Sequence, residues 1–96
     1  MTQTDKSTRL LVVDDDVLVF QATRVNLEKH GCRVDHAESG VKALEMLGVI
    51  EYDAVLMDLE MPGMDGYETT RRIRNEEAGK SAAKALIIAV TAHDLG

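Results

Sequence analysis

The stretch Val55-Leu56-Met57-Asp58-Leu59-Glu60-Met61-Pro62-Gly63-Met64-Asp65-Gly66 constrains the fold of this chain more than any other. A short apolar run entered at Ala54 stops at a carboxylate, and a turn rich in proline and glycine follows. An apolar run of that length between turn residues suits a buried parallel strand. Pro62 cannot donate a ladder hydrogen bond, and Gly63 and Gly66 permit positive φ, so the strand ends near Asp58. Asp58 is thereby placed at the carboxyl end of a central strand, where open α/β sheets bind their ligands.

The rest of the chain repeats this unit. Leu10–Val13 is a second apolar run, closed by Asp14-Asp15-Asp16. A helix is expected from Val17 to His30, with Asp15 or Asp16 at its cap and Gly31 just beyond its end. Arg33–Ala37 alternates weakly and reads as a shorter strand. Ser39 can cap a second helix whose Ala43, Leu44, Leu47 and Ile50 share a face. A third helix is expected from about Gly66 to Ala78, broken by Gly79-Lys80-Ser81. Ala85–Val90 is the last strand, ending at Thr91. Strands alternating with helices on short links imply parallel pairing through right-handed crossovers.

Ninety-six residues make one domain, with the ordered part expected from Thr8 onward. With only Phe20, Tyr52 and Tyr67 as aromatics, the core must be built from aliphatic side chains and methionine. A net charge of −6 argues against nucleic acid and against an anionic membrane as partners. The single Cys32 cannot form an internal disulfide, which fits a reducing cytoplasm. No apolar run approaches membrane-spanning length.

If the strands Leu10–Val13 and Val55–Met57 are neighbours, Asp14, Asp15 and Asp58 converge at one edge of the sheet. Such a cluster repels itself, and a hard divalent cation with oxygen ligands, Mg²⁺, resolves the repulsion. The cation would in turn offset the charge of an incoming phosphoryl group. An aspartate carboxylate can itself accept phosphate as an acyl phosphate. Thr91 would supply a hydroxyl at the same edge. His30, His36 and His93 lack metal-ligand spacing and read as surface residues.

Three motifs, Leu11-Val12-Val13-Asp14-Asp15, Val55–Asp58 with its Met61–Gly66 turn, and Ile87-Ile88-Ala89-Val90-Thr91-Ala92, occur in order. Together they resemble the receiver domain of two-component response regulators, including receivers of hybrid sensor kinases. The resemblance implies a flavodoxin-like, doubly wound α/β sheet. It implies Asp58 as phosphoacceptor, receiving phosphate from a phosphohistidine on a sensor histidine kinase or histidine phosphotransfer protein. Asp14, Asp15, Asp58 and the backbone carbonyl of Glu60 would hold Mg²⁺, and Thr91 would bind the phosphoryl oxygen as a switch. Such a domain is a signalling module rather than an enzyme.

The chain departs from that family in ways that matter. It stops before the fifth strand, with its phosphate-binding lysine and switch aromatic, and before the fifth helix, leaving the order 2-1-3-4. Lys80 and Lys84 precede the fourth strand and do not match that lysine. The fourth strand then becomes an open edge and the first helix covers its face alone, so the chain is expected to be marginally stable or to self-associate through that strand or the uncovered face. Two rival readings follow. One is a receiver-like interaction module that is never phosphorylated. The other is a fragment of a haloacid-dehalogenase-type phosphatase, in which Asp14-x-Asp16 would be the nucleophile motif.

On the first helix, Leu18, Ala22 and Val25 make an adequate inward stripe. Val17, Val19 and Phe20 are then partly surplus. They are either a wider core face or a hydrophobic docking patch beside the aspartates, of which Val17 and Phe20 are the candidates.

Overall fold

Leu10, Leu11, Val12 and Val13 are 7%, 0%, 4% and 0% exposed, which requires cover on both faces of their strand. The computed structural model of the chain describes residues 7–90. Its elements run β1 (Arg9–Val13), α1 (Val17–Lys29), β2 (Arg33–Ala37), α2 (Gly40–Leu47), β3 (Ala54–Asp58), α3 (Gly66–Arg74), α4 (Lys80–Ala83) and β4 (Leu86–Val90). All pairings are parallel and the order is β2-β1-β3-β4. The fold is the flavodoxin-like doubly wound sheet, with the expected 2-1-3-4 order.

The two faces are covered differently. Leu11, Val13, Val55 and Met57 pack with Ala43 and Leu47 of α2 and Ile73 of α3 in one cluster. The alternate residues Leu10, Val12 and Ala54 face the other side, where α1 sets down Phe20. Toward β4 that side opens out: Leu86, Ile88 and Val90 are 60%, 45% and 47% exposed.

Local chemistry sets the element ends. Asp16 caps α1, accepting from the N–H groups of Leu18 and Val19, and Gly31, at φ 85°, turns the chain after His30. Ser39 caps α2 through the Lys42 N–H, and Asp65 caps α3 through the Glu68 N–H.

Three expectations are corrected. The inward stripe of α1 is not Leu18, Ala22 and Val25, since Leu18 is 80% exposed, Val25 49% exposed, and Ala22 exposed as well. Phe20 is the buried residue, with Thr23 and Leu27 half-buried on its side of the helix. Apolar residues run nearly all round the first turn, so periodicity there does not select the inward face. Next, Ile50 lies past the end of α2, although it still packs against the core. Finally, α3 stops at Arg74, and Lys80–Ala83 forms a single helical turn where a break was expected. Positive φ at Glu76 and Gly79 ends the one and starts the other. Arg74 Nη1 then donates to the carbonyls of Ala83 and Ala85, fastening that turn to the start of β4.

Candidate functional site

Parallel pairing of β1 with β3 puts Val13 level with Met57, so the next residues, Asp14 and Asp58, leave the sheet side by side. Carboxylate oxygens of Asp14, Asp15 and Asp58 all lie within 4.8 Å of one another. Asp14 and Asp58 are half-buried and Asp15 is exposed. Among the described residues, no ion pair brings a cationic side chain to any of the three. Burial raises the pKa of Asp14 above its ordinary value, and the charges of Asp58, Asp15 and Asp16 raise it further. The Asp16 N–H, donated to Asp14 Oδ1 at 2.8 Å, acts in the opposite direction.

The turn after β3 holds the third carboxylate in place. Asp58 Oδ1 accepts the Glu60 N–H at 3.0 Å, and the Leu59 N–H donates to the Val90 carbonyl at 3.0 Å. Gly63 adopts φ 75°, as the turn requires. Gly66 serves a different purpose from the one expected: a Cβ there would collide with the Asp58 carbonyl and Leu59 Cα. Glycine thus allows the start of α3 to lie directly on the backbone that carries Asp58. Met61, only 7% exposed, anchors the turn in the core.

The remaining sequence candidates separate. Val17 is 50% exposed at the start of α1. Phe20, a candidate for the docking patch, is 8% exposed with its ring stacked on His36, so it belongs to the interior. Thr91 follows Val90, whose register partner is Asp58, but Thr91 and His93 lie outside the described residues. Glu60 has an exposed side chain. His36, expected at the surface, is half-buried and bonded to the Asp14 carbonyl, a placement no spacing rule signalled.

Three carboxylates with all-oxygen donors, and no compensating cation among the described residues, suit a small hard divalent ion. Residues 10–95 match the response regulator receiver domain family. The chain belongs to that family. Over 90 residues it is 42% identical to a probable histidine kinase of Oryza sativa, covering 86% of this chain and 9% of that protein. Over 88 residues it is 39% identical to hybrid signal transduction histidine kinase L of Dictyostelium discoideum, covering 88% of this chain and 5% of that one. The chain thus spans less than a tenth of the length of these relatives. A crystal structure of the receiver domain of a Pseudomonas aeruginosa sensor histidine kinase superposes with a TM-score of 0.83 at 34% identity. The match covers 93% of this chain and 70% of that one. That protein holds a magnesium ion in its active-site cleft.

Membership in the receiver family displaces the phosphatase reading. Asp16, the second aspartate of the motif behind that reading, spends Oδ1 on the cap of α1 instead. Among the described residues no helix is long and apolar enough to cross a membrane.

Proposed function

We propose that this receiver domain accepts a phosphoryl group from a phosphohistidine onto Asp58, with Mg²⁺ held by Asp14, Asp15, Asp58 and the backbone carbonyl of Glu60. The observation that carries the proposal is the uncompensated cluster at the ends of β1 and β3. Clustered structural acids are normally paired with a cation; three adjacent ones with none among the described residues favour a site that imports one. When bound, Mg²⁺ supplies positive charge that offsets the phosphoryl oxygens as they approach.

The chain's own groups divide the work. Asp58 Oδ1 is engaged by the Glu60 N–H, which leaves Oδ2 as the nucleophile. Oδ2 forms a bond to phosphorus while the N–P bond of the phosphohistidine breaks. The other ring nitrogen of the phosphohistidine carries a proton, so the electron pair of that bond returns to the departing nitrogen and leaves a neutral imidazole beside the new acyl phosphate. The hydrogen bonds around residues 58–60 hold the carboxylate in line, so little orientation remains to be found at the moment of transfer. By the family resemblance Thr91 bonds a phosphoryl oxygen in the product. Exposed Val17 offers an apolar foothold for the phosphohistidine protein beside the site. A sensor histidine kinase or a histidine phosphotransfer protein in the cytoplasm is the partner this chemistry calls for.

Titration of the domain with Mg²⁺ by calorimetry, followed by transfer from a phosphorylated histidine phosphotransfer protein, tests the reading. Binding of one Mg²⁺ and loss of both binding and transfer in Asp58→Asn are expected. Transfer that persists in Asp58→Asn rejects the assignment, and a domain that binds its donor but gains no phosphate is the interaction module instead.

A separate observation supports self-association. β4 is the edge of the sheet among the described residues, and its Leu86, Ile88 and Val90 are exposed on one face. We propose that a second copy covers this strand. Sedimentation that depends on concentration, and is lost in Ile88→Lys, is the expected outcome; a strict monomer at every concentration contradicts it.

A further inference from the structure

Asp14 stands one residue beyond the last ladder pair of β1, where a backbone would ordinarily be free to turn. Both of its peptide groups are nevertheless fastened to the end of β2. Its N–H donates to the Ala37 carbonyl at 3.1 Å, and its carbonyl receives His36 Nε2 at 2.8 Å. A carbonyl oxygen only accepts, so Nε2 carries the hydrogen and the tautomer is set. The imidazole is held in turn by Phe20 of α1, whose ring lies 3.9 Å away at 6° from parallel. Register places His36 opposite Val12, on the face of the sheet that α1 covers. One side chain thus ties β2 and α1 to the peptide that joins the two adjacent aspartates.

We infer that His36 is a positioning residue for the cation site, fixing the Asp14–Asp15 peptide so that both carboxylates stay aimed at Asp58. The physical need is plain. Three like charges within 4.8 Å push one another outward, and a peptide free to rotate would let Asp14 and Asp15 swing into solvent. The Nε2–H bond opposes that rotation, and the Phe20 stack keeps the imidazole from turning away. Partners that orient ligating residues without touching the metal typically alter its affinity while leaving the fold intact. The inference rests on the proposed Mg²⁺ site.

Two variants separate the hydrogen bond from the packing. His36→Phe keeps a ring against Phe20 and removes the donor, whereas His36→Gln keeps an N–H near the Nε2 position and removes the ring. Mg²⁺ affinity of the whole chain is measured by calorimetry well below each melting temperature. His36→Phe is expected to bind Mg²⁺ roughly tenfold more weakly with a melting temperature close to that of the parent. His36→Gln is expected to recover most of the affinity while melting earlier. In the parent, ¹⁵N chemical shifts of the imidazole should report hydrogen on Nε2 before any Mg²⁺ is added. Unchanged affinity in His36→Phe, or equal losses in both variants, overturns the positioning role while leaving the Mg²⁺ site standing. A parent chain that binds no Mg²⁺ overturns the site itself, and the positioning role with it.

Discussion

β3 has an aspartate at each end, and the two ends of the sheet treat theirs in opposite ways. At the amino-terminal end, Asp53 Oδ2 accepts the Arg9 N–H at 2.7 Å. Nearby Asp35 takes the Tyr52 hydroxyl at 2.6 Å and lies 3.7 Å from Arg9 Nη2. The Arg9 guanidinium also sits 5.9 Å from the centre of the Tyr52 ring. Asp35 thus has both a hydroxyl donor and a cation within reach. At the carboxyl-terminal end, Asp14, Asp15 and Asp58 face one another with no cationic side chain among the described residues. An aspartate beside a strand is therefore no sign of function by its type or position. What distinguishes the carboxyl-terminal end is charge with no cationic side chain beside it among the described residues, which costs stability unless a ligand supplies the opposite sign.

The largest effect is expected where that repulsion is removed. Replacing Asp14 and Asp15 together by asparagine should weaken Mg²⁺ binding by roughly a hundredfold or more, since the site holds its ion mainly through charge. The same double variant should melt at a higher temperature than the parent in Mg²⁺-free buffer, because the carboxylates no longer repel one another. Calorimetry and thermal melting check the two halves of the expectation. A lower melting temperature without Mg²⁺ would mean that the cluster is as well compensated as the opposite end.

At that opposite end the effect should be on stability alone. Tyr52 is buried, and burial together with its bond to Asp35 raises the pKa of its hydroxyl. Tyr52→Phe leaves half-buried Asp35 without that donor and should cost about 1–3 kcal/mol in chemical denaturation. Mg²⁺ affinity should not change. A variant that lost affinity would show that the two ends are coupled through the sheet.

The smallest effect belongs to a charge cluster along α3. Glu68 on α3 accepts from Arg71 at 2.6 Å and from Arg72 at 2.8 Å, and these bonds lower its pKa from 4.5 to about 2. A carboxylate whose folded pKa is depressed stabilises the fold above its unfolded value and loses that contribution as pH falls through the folded one. Glu68→Gln should therefore melt slightly below the parent at neutral pH, the difference closing between pH 4.5 and about 2. Screening at so exposed a position keeps the effect small. A gap that stays constant with pH would remove the ion pairs as its cause.

The strands and the converging aspartates were legible because apolar runs ending in carboxylates carry both facts at once. Asp14 and Asp58 needed only parallel neighbours in register to meet, and strand–helix alternation supplied that. The facing of α1 was not legible. Val17, Leu18, Val19 and Phe20 are consecutive and apolar, so periodicity cannot choose among them, and the contact that decides is Phe20 with His36 on another element. The role of His36 is hidden for the same reason: its partner, the Asp14 carbonyl, is backbone and leaves no mark in the pattern of side chains. The helical turn at Lys80–Ala83 was hidden by its leading glycine, and it is held from outside by Arg74. Contacts between distant elements are what composition and spacing do not encode.

The central claim is that the uncompensated end of the sheet takes phosphate on Asp58. Mass spectrometry of the intact domain, and of its peptides, after incubation with a small-molecule phosphodonor tests it most directly, with and without Mg²⁺. A single added phosphoryl group is expected, dependent on Mg²⁺, mapped to the peptide containing Asp58 and absent from Asp58→Asn. An unmodified parent chain in the presence of Mg²⁺, or a phosphoryl group that persists in Asp58→Asn, would contradict it.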